Sequence, residues 1–77
     1  GGLGRTGTVL ASLVALMEPG TVDPIAAVRE RYREFAIETY AQAEAVFALR
    51  GQHPPEQYRI LLEVESLRRS AWSNVKL

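Results

Sequence analysis

The sequence predicts an all-α chain, with about four helices after a glycine-rich loop. An apolar run, Val9–Met17, directly follows the glycines. Asp23 followed by Pro24 has the form of a helix start, and Gly51 has the form of a helix stop. A length of 77 residues with 47% hydrophobic content allows one small globular domain at most.

Balanced charge and the absence of cysteine narrow the possible classes of function. Nine basic and nine acidic residues cancel, which argues against a nucleic-acid binder. Without cysteine there is no disulfide and no thiolate metal site, and the one histidine cannot build a metal site alone, so we expect no cofactor. The longest apolar run is too short to span a bilayer, so we expect no membrane partner and a location in the reducing cytoplasm.

The first helix is expected from about Thr6 to Met17, where Pro19-Gly20 stops it. Its apolar residues surround it, so in a complete domain this helix would need cover on more than one face. The second helix is expected from Pro24 to about Arg33, with Asp23 as its N-cap.

Three arginines of the second helix, Arg29, Arg31 and Arg33, are predicted to lie on a solvated face. They stand at alternate positions, which point in different directions on a helix. The same surface carries glutamates that dilute the positive charge. We therefore do not expect these arginines to form a phosphate or partner site.

The last two helices are expected from about Tyr40 to Arg50 and from Pro55 to roughly Ser70. Thr39 and Gln42 have the spacing of a capping box at the start of the third helix. The fourth helix shows two apolar sets, and Glu65 stands four residues before Arg69, a favourable spacing for an ion pair. Its apolar sets are Tyr58, Leu61 and Leu62 on one side and Ile60, Val64 and Leu67 on another.

The glycine-rich start of the chain has the form of an anion site. Glycine adopts positive φ at little cost, so such a turn can aim several backbone N–H groups at one point. The helix that follows adds unpaired N–H groups and the positive end of its dipole. Arg5 adds a planar fork of donors that can bind two phosphate oxygens. The stretch reads Gly1-Gly2-Leu3-Gly4-Arg5-Thr6-Gly7-Thr8.

Two other interpretations of this stretch stay open, a dinucleotide-binding turn and a flexible glycine terminus. The spacing of Gly2, Gly4 and Gly7 also fits a dinucleotide-binding turn, but no strand precedes it, and the acidic candidate Asp23 lies in a stretch too short for a good strand. A nucleoside-triphosphate loop would need a lysine that is absent here. A flexible glycine terminus before an ordinary helix is the remaining possibility.

The stretch resembles the active-site loop of the cysteine-based protein tyrosine and dual-specificity phosphatases, often His-Cys-x-Gly-Gly-x-Gly-Arg-Thr-Gly-Thr. From Gly1 onward the match has no gap, and the nucleophilic cysteine would lie two residues earlier. The resemblance implies the C-terminal half of a phosphatase domain, inactive alone, whose α/β parent fold has its central sheet in the missing N-terminal half. It implies Arg5 and Thr6 as catalytic residues and the N–H groups of Gly1, Gly2, Leu3 and Gly4 as phosphate ligands.

A second stretch, Ala36–Gln42, extends the resemblance, because these phosphatases often carry Ala-Ile-x-Thr-x-x-Gln at this place. In the larger tyrosine-specific enzymes a glutamine precedes the threonine and positions water; here Glu38 stands there, which favours the dual-specificity branch. Residues 1–50 would form the helical part of the phosphatase domain and 51–77 a helical extension. The expected partners are a phosphorylated protein or other phosphoester and the N-terminal half of the domain or another chain.

A different class of function also fits the sequence. The chain would then be a non-catalytic helical module that binds a protein partner through its apolar first helix. The residues immediately upstream of Gly1 in the gene discriminate between the two, since His-Cys-x there favours the phosphatase.

Overall fold

The computed structural model describes the backbone of residues 2–75 and the side chains of residues 4–71. Within that part of the chain all regular structure is helical, with no strand, which confirms the predicted all-α class and the four helices. The helices are α1 Gly2–Met17, α2 Pro24–Arg31, α3 Tyr40–Ala48 and α4 Gln57–Val75.

Helix α1 begins at Gly2, not at Thr6, so the predicted loop is helical over its described residues. Glycine costs about 1 kcal/mol relative to alanine inside a helix. Two of the glycines, Gly4 and Gly7, are buried where the chain segment after α2 packs closely against α1. This packing, which the local sequence does not show, offsets the low helix propensity of the glycines.

The caps of α2 and α3 form as predicted. The Asp23 carboxylate accepts hydrogen bonds from the N–H groups of Ile25 and Ala26, both at 3.0 Å. Thr39 and Gln42 form the expected capping box at the start of α3. These contacts join residues two or three positions apart, so the sequence alone contains the information that specifies them.

Helix α2 ends two residues earlier than predicted, at Arg31. The chain must leave the helix there because Ala36 and Ile37, a few residues on, are fully buried in the core. Helix α3 ends at Ala48, and Gly51 follows in the left-handed conformation with φ of 67°. Glycine adopts that conformation without strain, which explains its place after the helix.

The core combines residues from all four helices and from the segment between α2 and α3. Helix α1 packs against α2 and α3, and α4 packs against α3. Helix α4 runs to Val75, beyond the predicted end at Ser70, and its first half contributes to the same buried cluster as the other helices. The cluster consists of Ala11, Val14, Ala15, Ile25, Val28, Ala36, Ile37, Ala43, Val46, Phe47, Tyr58 and Leu62.

Within the described part of the chain, helix α1 is buried on one face only. Its opposite face exposes large apolar side chains, among them Leu16 at 60% and Met17 at 75% of their surface. No helix in the described part of the chain is long and apolar enough to cross a membrane.

Candidate functional site

The two stretches that resemble a phosphatase lie against each other in the structure. A Cβ atom at Gly7 would overlap the backbone carbonyl of Ala36, and a Cβ atom at Gly4 would overlap Glu38 Oε1. The same position at Gly4 is 3.0 Å from Gln42 Nε2. At Gly7 the overlap is with backbone, so only glycine permits this approach, and the segment Ala36–Gln42 packs directly on the first two turns of α1.

The predicted site residues lie at the N-terminal end of α1. The N–H groups at the start of a helix have no acceptor within it, so those of residues 2–4 are directed out of this end of α1. Arg5 and Thr6 are consecutive in the first turns, and both side chains are exposed to solvent. Gly1 lies outside the described residues, as do the side-chain surroundings of Leu3.

The neighbouring Thr8 has a local role. Its hydroxyl donates a 2.7 Å hydrogen bond to the Gly4 carbonyl, one helical turn earlier. The hydroxyl of Ser12 makes the same kind of bond, at 2.7 Å, to the Thr8 carbonyl. The Thr8 hydroxyl is therefore occupied by a hydrogen bond to its own helix backbone.

A network of side chains holds the segment Ala36–Gln42 in place beside this end of α1. Gln42 Oε1 accepts from the N–H groups of Glu38 at 2.9 Å and Thr39 at 3.1 Å. Thr39 Oγ1 in turn accepts from the Gln42 N–H at 3.1 Å. These bonds satisfy N–H groups at the N-terminal end of α3 and fix the backbone at Glu38 and Thr39.

Glu38 brings a carboxylate to the N-terminal end of α1. Its Oε1 atom lies against Gly4, and its Oε2 atom is 3.6 Å from Arg69 Nε on α4. The positive end of a helix dipole favours a negative group at this place. The same carboxylate opposes any second anion that approaches the N–H groups of residues 2–4.

The arrangement suits the binding of a small anion. Backbone N–H groups and the positive end of the helix dipole lie at this end of α1, and the side chains of Arg5 and Thr6 in its first turns are exposed. The described residues contain no group of three or more histidine, cysteine or acidic side chains placed to hold a metal ion.

The prediction of a solvated arginine face is wrong for Arg29. Its guanidinium forms a bidentate ion pair with Glu65 of α4, and the two side chains expose only 15% and 8% of their surface. Arg31 and Arg33 are exposed as predicted, and Arg31 pairs with Glu18 at 2.9 Å. That hydrogen-bonded pair lowers the pKa of the exposed Glu18 carboxyl.

The expected pair of Glu65 with Arg69 is also wrong. Glu65 is turned into the protein, where the fork of Arg29 offers two aligned donors. Arg69 instead reaches Glu38. Long-range geometry therefore overrides the favourable spacing within the helix.

Arg50 is a structural residue that the sequence analysis missed. Its Nε atom donates to the Ala15 carbonyl at 3.0 Å, and Nη2 donates to the Glu18 carbonyl at 2.7 Å, while Nη1 bonds the Thr21 carbonyl. The last carbonyls of a helix lack intrahelical donors. One side chain of the turn after α3 thus caps the C-terminal end of α1.

An open apolar groove of about 420 Å³ lies between α1 and α2. It is continuous with the exposed face of α1, because Leu13 and Met17 line it together with Val28 and Tyr32 of the α2 side. A groove of this character, at the opposite end of α1 from Arg5, is suited to packing against apolar chain and not to binding a phosphate.

Comparison with known proteins finds one similar sequence of unknown role. The uncharacterized protein MJ0215 of Methanocaldococcus jannaschii is 56% identical over 46 residues, which make up 60% of this chain and 28% of that protein. The chain thus spans less than a third of the length of this curated relative. No protein-family model matches the chain, and no solved structure matches it.

Proposed function

We propose that this chain forms the C-terminal, helical part of a cysteine-based phosphatase domain of the tyrosine or dual-specificity type. One observation carries the proposal. The two stretches that separately resemble these phosphatases, residues 1–8 and 36–42, are 28 or more positions apart in sequence and yet pack on each other at Gly4 and Gly7. If the two resemblances had arisen by chance, the two stretches would not be expected to lie in contact at one end of the same helix.

The proposed reaction is hydrolysis of a phosphoester through a phosphocysteine. A thiolate two residues before Gly1 attacks phosphorus, an S–P bond forms, and the P–O bond to the alcohol breaks. Arg5 binds two equatorial oxygens, and the N–H groups of Gly1, Gly2, Leu3 and Gly4 hold the same oxygens as charge spreads over them. The Thr6 hydroxyl donates to the sulfur and helps it to leave when water attacks.

The nucleophile and the general acid of this reaction come from the proposed N-terminal half of the domain or from another chain. Neither a cysteine nor an upstream acidic loop is present here, so the fragment alone is inactive. The exposed apolar face of α1 supports the proposal, since it leaves room for a central sheet to pack there. The substrate class is a phosphorylated protein or another phosphoester, no metal takes part, and the proposed location is the cytoplasm.

The experiment that tests the proposal joins the gene's upstream segment to this chain and measures hydrolysis of an aryl phosphate. We expect the joined protein to be active in the presence of a chelator and inactive when the cysteine before Gly1 is changed to serine. Activity that requires an added divalent metal, or that survives the change to serine, would contradict the proposed chemistry.

A second candidate function rests on the apolar groove between α1 and α2. In that alternative the chain is a non-catalytic helical module, and a protein partner fills the groove and covers Leu16 and Met17. The gene sequence immediately upstream of Gly1 distinguishes the two candidate functions. A sequence His-Cys-x before Gly1 supports the phosphatase, and any other sequence there supports the module.

A further inference from the structure

Besides its buried face, helix α4 has a row of apolar side chains that nothing in the described part of the chain covers. This row, called the seam below, consists of Ile60, Val64, Leu67 and Ala71. Ile60 exposes 69% and Leu67 exposes 63% of its surface, and Val64 and Ala71 between and beyond them are also exposed. These positions are separated by four, three and four residues. That is the spacing of the two core positions of a heptad repeat, with Val64 and Ala71 at a and Ile60 and Leu67 at d.

The seam lies on the side of α4 that faces away from the protein. The buried residues of α4, Tyr58, Leu62 and Glu65, share one face. At about 100° per residue, Ile60 and Leu67 lie roughly 180–200° around the helix from Tyr58. Two copies could therefore meet along the seam while their remaining helices stay on opposite sides.

The charges beside the seam indicate which occupant fits it. In the heptad register Glu63 takes position g and Arg68 position e, and both side chains are exposed. Neither forms an ion pair within the described part of the chain. In a parallel pair of helices, the residue at position g of one helix lies beside a residue at position e of the other helix. That partner residue stands five positions later in the sequence.

We propose that α4 forms a parallel two-stranded coiled coil with α4 of a second copy of this chain. Glu63 of each copy pairs with Arg68 of the other, so the symmetric dimer has two interchain ion pairs. Val64 at a and Leu67 at d are the combination that favours two strands. An antiparallel pair would place Glu63 beside Ser70 and Arg68 beside Leu61, and neither contact joins opposite charges.

The first test is the oligomeric state of the chain. Because the seam spans only about two heptads, we expect a weak dimer with Kd on the order of 10–100 μM by sedimentation equilibrium. Leu67→Glu should abolish the dimer, whereas Leu16→Glu, on the equally exposed face of α1, should leave it intact. Circular dichroism checks that both variants stay folded. Loss of the dimer in Leu16→Glu alone would overturn the proposal.

The second test uses the charges to establish the orientation. Glu63→Arg and Arg68→Glu should each weaken self-association at least about fivefold, because each homodimer then has two like-charge pairs. Mixing the two variants should restore dimerisation at low salt, because both interchain pairs are again of opposite sign. If the mixture associates no better than either variant alone, the parallel arrangement is wrong.

The third test exploits the absence of cysteine in the chain. In a parallel dimer the two copies of residue 67 face each other, so Leu67→Cys should form a disulfide-linked dimer under mild oxidation. Glu44→Cys, an exposed position on α3, is the matched control and should cross-link little. Equal cross-linking of the two variants would contradict the proposed seam.

Discussion

Arg29 of α2 donates two hydrogen bonds to the carboxylate of Glu65 of α4, over 2.8 and 2.7 Å, and a third of 2.8 Å to the Ile37 carbonyl. The pair ties together α2, α4 and the segment that packs on Gly4 and Gly7. A buried ion pair of this kind need not exceed an apolar pair in stability, but the loss of one partner leaves a buried charge uncompensated.

We therefore expect Arg29→Ala or Glu65→Ala to destabilise the fold by about 3–5 kcal/mol in urea denaturation. A loss of that size approaches the whole stability of a core this small, so each variant should be largely unfolded. Arg29→Met combined with Glu65→Leu should be far less harmful than either alanine change. Arg31→Ala, which breaks an exposed ion pair with Glu18, is the control and should barely change the urea concentration at the unfolding midpoint.

Sequence analysis predicted the contacts between residues close together in the chain. It missed the contacts between distant residues, which depend on how the helices pack. The caps at Asp23 and Thr39 were predictable because donor and acceptor stand within three positions of each other. The pair of Arg29 with Glu65 joins residues 36 positions apart, and Arg50 reaches a carbonyl 35 positions away. Such contacts depend on how the helices are arranged, which no local pattern encodes.

The same distinction explains the outcome for the candidate site. The glycine pattern indicated a special backbone at residues 1–8, but it predicted a loop where the structure has a helix. The glycines are needed for close approach by Ala36 and Glu38, from a segment about 30 positions away. The functional roles of Arg5 and Thr6 rest on the resemblance and stay a prediction.

The close approach at Gly7 can be tested with alanine. Gly7→Ala should destabilise the fold by about 1–3 kcal/mol, because the new methyl group overlaps the backbone carbonyl of Ala36, which cannot rotate away. Gly20→Ala has open space around it and should be neutral or stabilising by up to about 1 kcal/mol. Thermal denaturation of both variants makes the comparison. Equal stability of the two would mean that the segment does not pack on α1 as described.

Tyr58 makes the fold sensitive to alkaline pH. Burial raises the pKa of its hydroxyl, and the 2.6 Å hydrogen bond that it donates to Asp23 Oδ2 raises that pKa further. As the pH rises above about 10, the unfolded chain loses the tyrosine proton before the folded chain does, so stability is full below that pH and falls above it.

Tyr58→Phe should therefore flatten the loss of stability above pH 10, at a cost of about 1–2 kcal/mol near pH 7 for the missing hydrogen bond. Urea denaturation at several pH values between 8 and 11 measures both effects. Tyr32→Phe, at an exposed tyrosine, should reproduce the parent profile. A parent whose stability does not decline above pH 10 would show that Tyr58 is not held in its neutral form.

The carboxylate of Glu38 should weaken phosphate binding at the N-terminal end of α1. Glu38→Gln keeps the shape of the side chain and removes the negative charge beside Gly4. We expect the affinity for inorganic phosphate to rise about fivefold, which corresponds to roughly 1 kcal/mol of repulsion removed. The chemical shifts of the Gly4 and Arg5 amides report binding in a phosphate titration. An unchanged or lower affinity would contradict an anion site at this end of the helix.

The most direct test of the account is the kinetic effect of Arg5→Lys in the protein joined to its upstream segment. Lysine keeps the positive charge but loses the planar fork that binds two phosphate oxygens. The proposal predicts that kcat falls by ~100-fold or more, about 2.7 kcal/mol, while KM changes much less. Arg33→Lys, at an exposed position two residues after the end of α2, is the matched control and should leave both constants unchanged. Hydrolysis by Arg5→Lys within a few-fold of the parent would contradict the phosphatase proposal and favour the helical module.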